Sequence, residues 1–159
     1  IISFFEAVLY KDTDNDTKKL WYGGIAVGLI FGLFSMYQNI TAPGLTSFIF
    51  WNPIIALIPR ILIGVISYYS FKLLKHKIKN TGICVGISAI LGTLTNTVGV
   101  LGLTYILYLD RYAQAREISR EAVAGTLLTV GLTNGVPEAI VSALITVPIV
   151  VTMLKFKRK

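Results

Sequence analysis

Four stretches of this chain run for about 19 residues or more with almost no charge: 20–38, 51–74, 81–109 and 122–154. A bilayer core about 30 Å thick is crossed by roughly 20 apolar residues of helix. Backbone groups in lipid must find partners within the protein, which leaves helices or a closed barrel. Barrel strands alternate in polarity over about 10 residues, whereas these runs are continuous and predict transmembrane helices. The mean hydropathy of +0.70 and the 14% of charged residues agree, since soluble domains carry about 25% charge.

Between the spans the chain changes character. Residues 1–9 read as the end of an apolar helix, and 10–19, YKDTDNDTKK, as a polar loop. Residues 39–50 carry Pro43 and Gly44 and read as a loop. KHKIKN at 75–80 is a basic loop, and 110–121, DRYAQAREISRE, is polar with room for a short surface helix. The pattern predicts an all-α membrane protein, a six-transmembrane-helix bundle with about four and a half helices in residues 1–159. The first helix and part of the second are expected ahead of Ile1, and the whole forms one transmembrane domain.

The net charge of +7 is mostly an orientation signal. Lys11, Lys18 and Lys19, then Lys72, Lys75, Lys77 and Lys79, then Lys155, Lys157, Arg158 and Lys159 make eleven of the 15 basic residues, and alternating helices put them on one side. The opposite side has Arg111, Arg116 and Arg120. The positive-inside rule makes the richer side cytoplasmic, with the C-terminus inside a multi-pass plasma-membrane protein. Nucleic acid is therefore not an expected partner; the lipid bilayer is. Cys84 and His76 are single residues of their kinds, which excludes an internal disulfide and a Cys/His metal cluster. There is no Walker A sequence, no HExxH and no Ser/His pairing, so neither catalysis nor a cofactor is expected. The visible chain is also small for a secondary transporter with paired repeats. A ligand-binding membrane subunit that takes its energy from elsewhere fits best.

Polar residues inside the spans mark candidate sites. Asn52-Pro53 reads as a helix cap followed by proline at the first helical position. Arg60 then lies about 12 Å further along, at 1.5 Å per residue, where a cation is expensive. Two readings stand: a structural arginine paired with Glu138 or with helix-end carbonyls, or an anchor for an anionic ligand, for which guanidinium has a matching fork. Asn96, among Thr93, Thr95 and Thr97, can orient a ligand amide or hydroxyl, or join helices by hydrogen bonds; the threonines fit the second role better. Asn134 and Glu138 are four apart and share a face, beside Gly135 and Pro137, which would loosen the helix. Trp51 stands at the outer end, as belt residue or as cap of a cavity. Gly24, Gly28 and Gly32 form a small-residue stripe for packing within the bundle or for docking another membrane subunit.

Four blocks together, GGIAVGLIFGLFS, NPIIALIPRILIGVISY, GTLTNTVGVLGLTYIL and NGVPEAIVSALITVPIV, resemble the substrate-binding S components of energy-coupling factor (ECF) vitamin transporters. The similarity covers about residues 20–154, and the NPxxxxxPR, LTNT and NGxPE elements look most like the pantothenate-specific members. The resemblance implies six helices, one vitamin bound near the outer face, and partnership with a transmembrane coupling protein and two cytoplasmic ATPases. It places Arg60 against the pantothenate carboxylate, Asn96 against its amide or hydroxyls, and Asn134 in the same pocket. Trp51, Asn52, Thr97 and Glu138 complete the candidate set. Pyridoxine, hydroxymethylpyrimidine or riboflavin are the alternative ligands, and a structural subunit without ligand is the alternative class.

Overall fold

The computed structural model describes residues 14–157, with side chains over 25–152. Residues 1–13, including the helix end expected at 1–9, lie outside the described residues. The elements are α1 (Asp14–Thr41), a 3-10 turn (Ser47–Ile49), α2 (Pro53–Lys77), α3 (Thr81–Arg116), α4 (Ala122–Val130), a π-helical turn (Gly131–Gly135) and α5 (Val136–Lys157). Three helical stretches are long and apolar enough to cross a membrane, Pro53–Lys77, Thr81–Arg116 and Ala122–Thr152, and α1 adds the shorter apolar stretch Ile25–Thr41. The all-helical membrane bundle read from the sequence is the fold observed.

The helices start where local chemistry supplies the missing partners. Asn52 caps α2, its Oδ1 accepting from the Ile54 N–H at 2.9 Å, with Pro53 in the first turn. Asn80 caps α3 in the same way through the Gly82 N–H at 2.9 Å. Helical structure extends further than the polar sequences suggested. Residues 14–19, expected as loop, are the first turns of α1. Likewise 110–116 continue α3 in place of a separate surface segment. A kink at Tyr108 (φ −131, ψ 20) absorbs the change of direction, and the helix-favouring Ala-Gln-Ala-Arg run carries on beyond it.

α3 ends at Glu117 in the left-handed conformation (φ 54). The Ile118 N–H donates to the Ala113 carbonyl at 3.0 Å and the Glu117 N–H to Gln114 at 3.2 Å, a Schellman closure. Glycine takes this conformation without the Cβ penalty, so Glu117→Gly is expected to raise stability by about 0.5–1 kcal/mol, read as a higher detergent-unfolding midpoint.

Glycines bring the helices together. A Cβ at Gly28 would lie 2.8 Å from Ile61 Cα, and one at Gly32 would lie 2.7 Å from the Ala56 carbonyl, so both face α2 at backbone contact. Gly28 and Gly32 thus serve packing within the bundle, the first of the two readings of the stripe. The surroundings of Gly24 lie outside the described side chains. The mid-span threonines also behave differently from the interhelical reading. Thr93, Thr95 and Thr97 each donate to the carbonyl four residues back, at 3.0, 2.7 and 3.3 Å. A hydroxyl that close to its own helix satisfies itself there first.

α2 packs between α1 and α3, and α3 also packs against α4 and α5. An apolar cluster of Ile49, Ile55, Tyr112, Ala113, Val123 and Leu127 ties the 3-10 turn to the ends of α2, α3 and α4. Next to it lies a cavity lined by Arg60, Asn96 and Thr104 among other residues.

Candidate functional site

The cavity has a volume of about 250 Å³, is open on one side, and is lined by the 3-10 turn, α2, α3, α4, the π-turn and the start of α5. Each element contributes for a local reason. Pro137 has no N–H, and its ring would clash with the carbonyl four residues back, at Thr133. The chain accommodates this by widening the preceding turn, Gly131–Gly135, into a π-helix. Such turns are frequent at functional sites. The expected loosening is thus a wider turn, with no unwinding. It closes tightly on α3: a Cβ at Gly135 would lie 2.8 Å from the Thr97 methyl carbon. Asn134 and Glu138 lie on its cavity side.

α3 lines the cavity with Asn96, Val100, Thr104, Tyr112 and Arg116. Residues four apart on a straight helix drift by about 40° per step. Tyr112 would therefore sit roughly 160° away from Asn96, on the opposite side. The kink at Tyr108 brings the upper part of α3 back to the cavity.

Arg60 is 7% exposed. Its side chain turns back along α2 toward the helix start, the direction a helical Cα–Cβ bond points. Nη1 donates to the Ala56 carbonyl at 2.9 Å and to the Ile55 carbonyl at 3.3 Å, and Nη2 donates to the Ser35 hydroxyl at 2.9 Å. The guanidinium carbon lies 5.2 Å from the Phe31 ring centroid and 5.3 Å from that of Phe50, an attractive cation–π arrangement on both. Nε is buried and has no hydrogen-bond partner among the described residues. Glu138 lines the same cavity but forms no ion pair with the guanidinium. Asn96 offers the complementary feature: its Oδ1 is buried with no donor. Arg60 and Asn96 share this space with Arg116, Asn134 and Glu138, and with apolar walls that include Ile49, Phe50, Leu101 and Leu127.

Of the residues singled out in the sequence, Arg60, Asn96, Thr97, Asn134 and Glu138 converge on the cavity. Trp51 and Asn52 do not. Trp51 is 51% exposed and donates from Nε1 to the Asn39 carbonyl at 3.2 Å. Asn52 caps α2 and donates from Nδ2 to the Tyr108 hydroxyl at 3.3 Å, tying the helix start to the kink in α3. Both hold this end of the bundle together. Sequence reasoning missed Ser35, Phe31, Phe50, Thr104, Tyr112 and Arg116. The four-residue spacing 96, 100, 104, 112, 116 was visible, but the kink that makes it one surface was not. A structural subunit with a closed Arg60–Glu138 pair and no cavity is not what is observed. Among the described residues no three His, Cys, Asp or Glu side chains group as metal ligands.

The model of the family "ECF transporter, substrate-specific component" matches residues 19–150. The chain belongs to this family. As an S component it is a subunit of a transporter, in keeping with its membrane helices. Two curated relatives are similar. Pantothenic acid transporter PanT of Lactococcus lactis subsp. cremoris is 30% identical over 149 residues, 85% of this chain and 70% of the relative. Pantothenate transporter PanT of Leuconostoc mesenteroides subsp. mesenteroides is 34% identical over 122 residues, 74% of this chain and 59% of the relative.

Proposed function

We propose that this S component binds pantothenate from the outer side of the plasma membrane and delivers it inward through an ECF module of a transmembrane coupling protein and two cytoplasmic ATPases, with its own C-terminus cytoplasmic. The observation that carries the reading is that Arg60 and Asn96 line one cavity and that each has a buried polar atom without a partner, the Nε–H donor and the Oδ1 acceptor. A buried cation needs an opposite charge, and no acid of the described chain pairs with Arg60. A ligand carboxylate supplies that charge, and a ligand amide or hydroxyl supplies the donor that Asn96 lacks. Pantothenate has one carboxylate, one amide and two hydroxyls. The family and the names of the two relatives point the same way.

Pyridoxine, hydroxymethylpyrimidine and riboflavin have no carboxylate and would leave Arg60 uncompensated. At about 250 Å³ the cavity is also slightly smaller than the ~300–1,000 Å³ typical of drug-sized sites, which suits pantothenate better than a flavin. Calorimetric titration of the purified protein with the four vitamins tests this. Pantothenate alone is expected to give saturable binding; binding of a carboxylate-free vitamin with pantothenate inert overturns the reading. Asn96→Leu keeps the volume and removes the acceptor, and is expected to weaken pantothenate roughly tenfold. Unchanged affinity would remove Asn96 from the site.

A further inference from the structure

Residue 59, just before the arginine, is also a proline. In an unbroken helix the N–H at position 59 would donate to the Ile55 carbonyl; proline has none to give. Membrane helices tolerate prolines when a neighbouring helix, a hydroxyl or water takes up the freed carbonyl. Here the taker is the next side chain: Arg60 Nη1 donates to the Ile55 carbonyl at 3.3 Å. The same nitrogen reaches the Ala56 carbonyl at 2.9 Å, which also faces the backbone N–H of Arg60 itself. The Ile55 carbonyl has no ladder donor at position 59 and is free to turn toward the side chain. The proline is fully buried, and α3 leaves room for its ring, since a Cβ at Gly99 would lie 3.0 Å from Pro59 Cβ.

We infer that Pro59 is a positioning residue for Arg60: by withholding an N–H it opens the Ile55 carbonyl, which holds Nη1 against α2 and leaves the Nε side of the guanidinium for the ligand. The inference rests on the pantothenate reading for its ligand, and on the Nη1 contacts alone for its geometry. Proline at 59 and arginine at 60 then act as one unit, the first creating an acceptor inside the membrane and the second occupying it.

The test compares pantothenate with its alcohol analogue, in which –CH₂OH replaces the carboxylate, on the full chain carrying Pro59→Ala. With an N–H restored at 59, the anchor weakens. Pantothenate affinity is expected to fall about tenfold, the worth of a misplaced charge-assisted hydrogen bond, while the alcohol analogue changes by less than about twofold. The preference for acid over alcohol collapses, and unfolding without ligand stays at or above the parent temperature because the helix ladder is repaired. Equal weakening of both ligands, or an unchanged preference in a folded protein, overturns the inference. A second measurement needs neither a ligand nor the variant's folding. A dipolar coupling between ¹³C-labelled isoleucine carbonyl and ¹⁵Nη of arginine, assigned by its loss in Arg60→Lys, is expected in the parent protein; its absence overturns the inference. Parent protein that binds neither compound sinks the pantothenate reading, and the coupling still decides the anchor.

Discussion

Arg60→Ala, inserted and folded, is expected to bind pantothenate about 100-fold more weakly or worse, and cells relying on it to lose uptake. Removing one partner of a desolvated, hydrogen-bonded charge pair commonly costs 2–5 kcal/mol, and each 1.4 kcal/mol is a decade of affinity. The guanidinium meets both conditions: it is buried, and its remaining donors are fixed by two carbonyls and a serine hydroxyl. Stability without ligand should move much less. The substitution loses those hydrogen bonds and two aromatic contacts, but it also relieves a buried cation that no acid pairs. Titration of the variant beside its unfolding midpoint separates the two effects. Arg60→Lys is also expected to fail, because an ammonium presents no planar fork. Binding that survives Arg60→Ala would remove the arginine from the site.

Gly28→Ala should give the largest loss of stability from the smallest chemical change. The added Cβ would sit 2.8 Å from Ile61 Cα and 2.9 Å from the Arg60 carbonyl. Those are backbone atoms, which cannot rotate aside, so α1 and α2 must separate. Overpacking of this kind costs about 1–3 kcal/mol, occasionally more. α1 also carries Phe31 and Ser35, two of the groups holding the guanidinium. The same variant is therefore expected to weaken pantothenate although Gly28 itself does not line the cavity. Gly102→Ala and Gly125→Ala are the controls: nothing lies within 4 Å of either new Cβ. Helix propensity alone makes these two neutral or stabilising by up to about 1 kcal/mol. Equal unfolding midpoints for Gly28→Ala and Gly102→Ala would refute the close-packing account.

The helical membrane fold was legible because long uncharged runs admit few other solutions in a bilayer. Arg60, Asn96, Thr97, Asn134 and Glu138 were legible for a related reason: polar groups are expensive in lipid, so each one is conspicuous there. The same logic also singled out Trp51 and Asn52, which do not line the cavity. They stand at the membrane edge, where water and loop carbonyls satisfy polar groups cheaply, and nothing in the sequence separates capping from ligand contact. Gly28 and Gly32 were visible as a stripe, but small residues permit close approach to any helix; the partner they serve is α2. Ser35, Tyr112 and Arg116 stayed hidden for geometric reasons. A serine on an apolar face is unremarkable until an arginine from another helix reaches it. Tyr112 and Arg116 join the cavity through the kink at Tyr108, a feature no spacing announces.

Two of the three hydrogen bonds that hold Arg60 are made to carbonyls of its own helix. The cation therefore travels with α2 as luggage strapped to one carriage. If α4 and the π-turn shift to admit or release a ligand, the space beside the guanidinium changes while its two backbone attachments do not. The guanidinium thus keeps its orientation through any such shift, and the donor geometry it offers to the cavity does not have to be rebuilt.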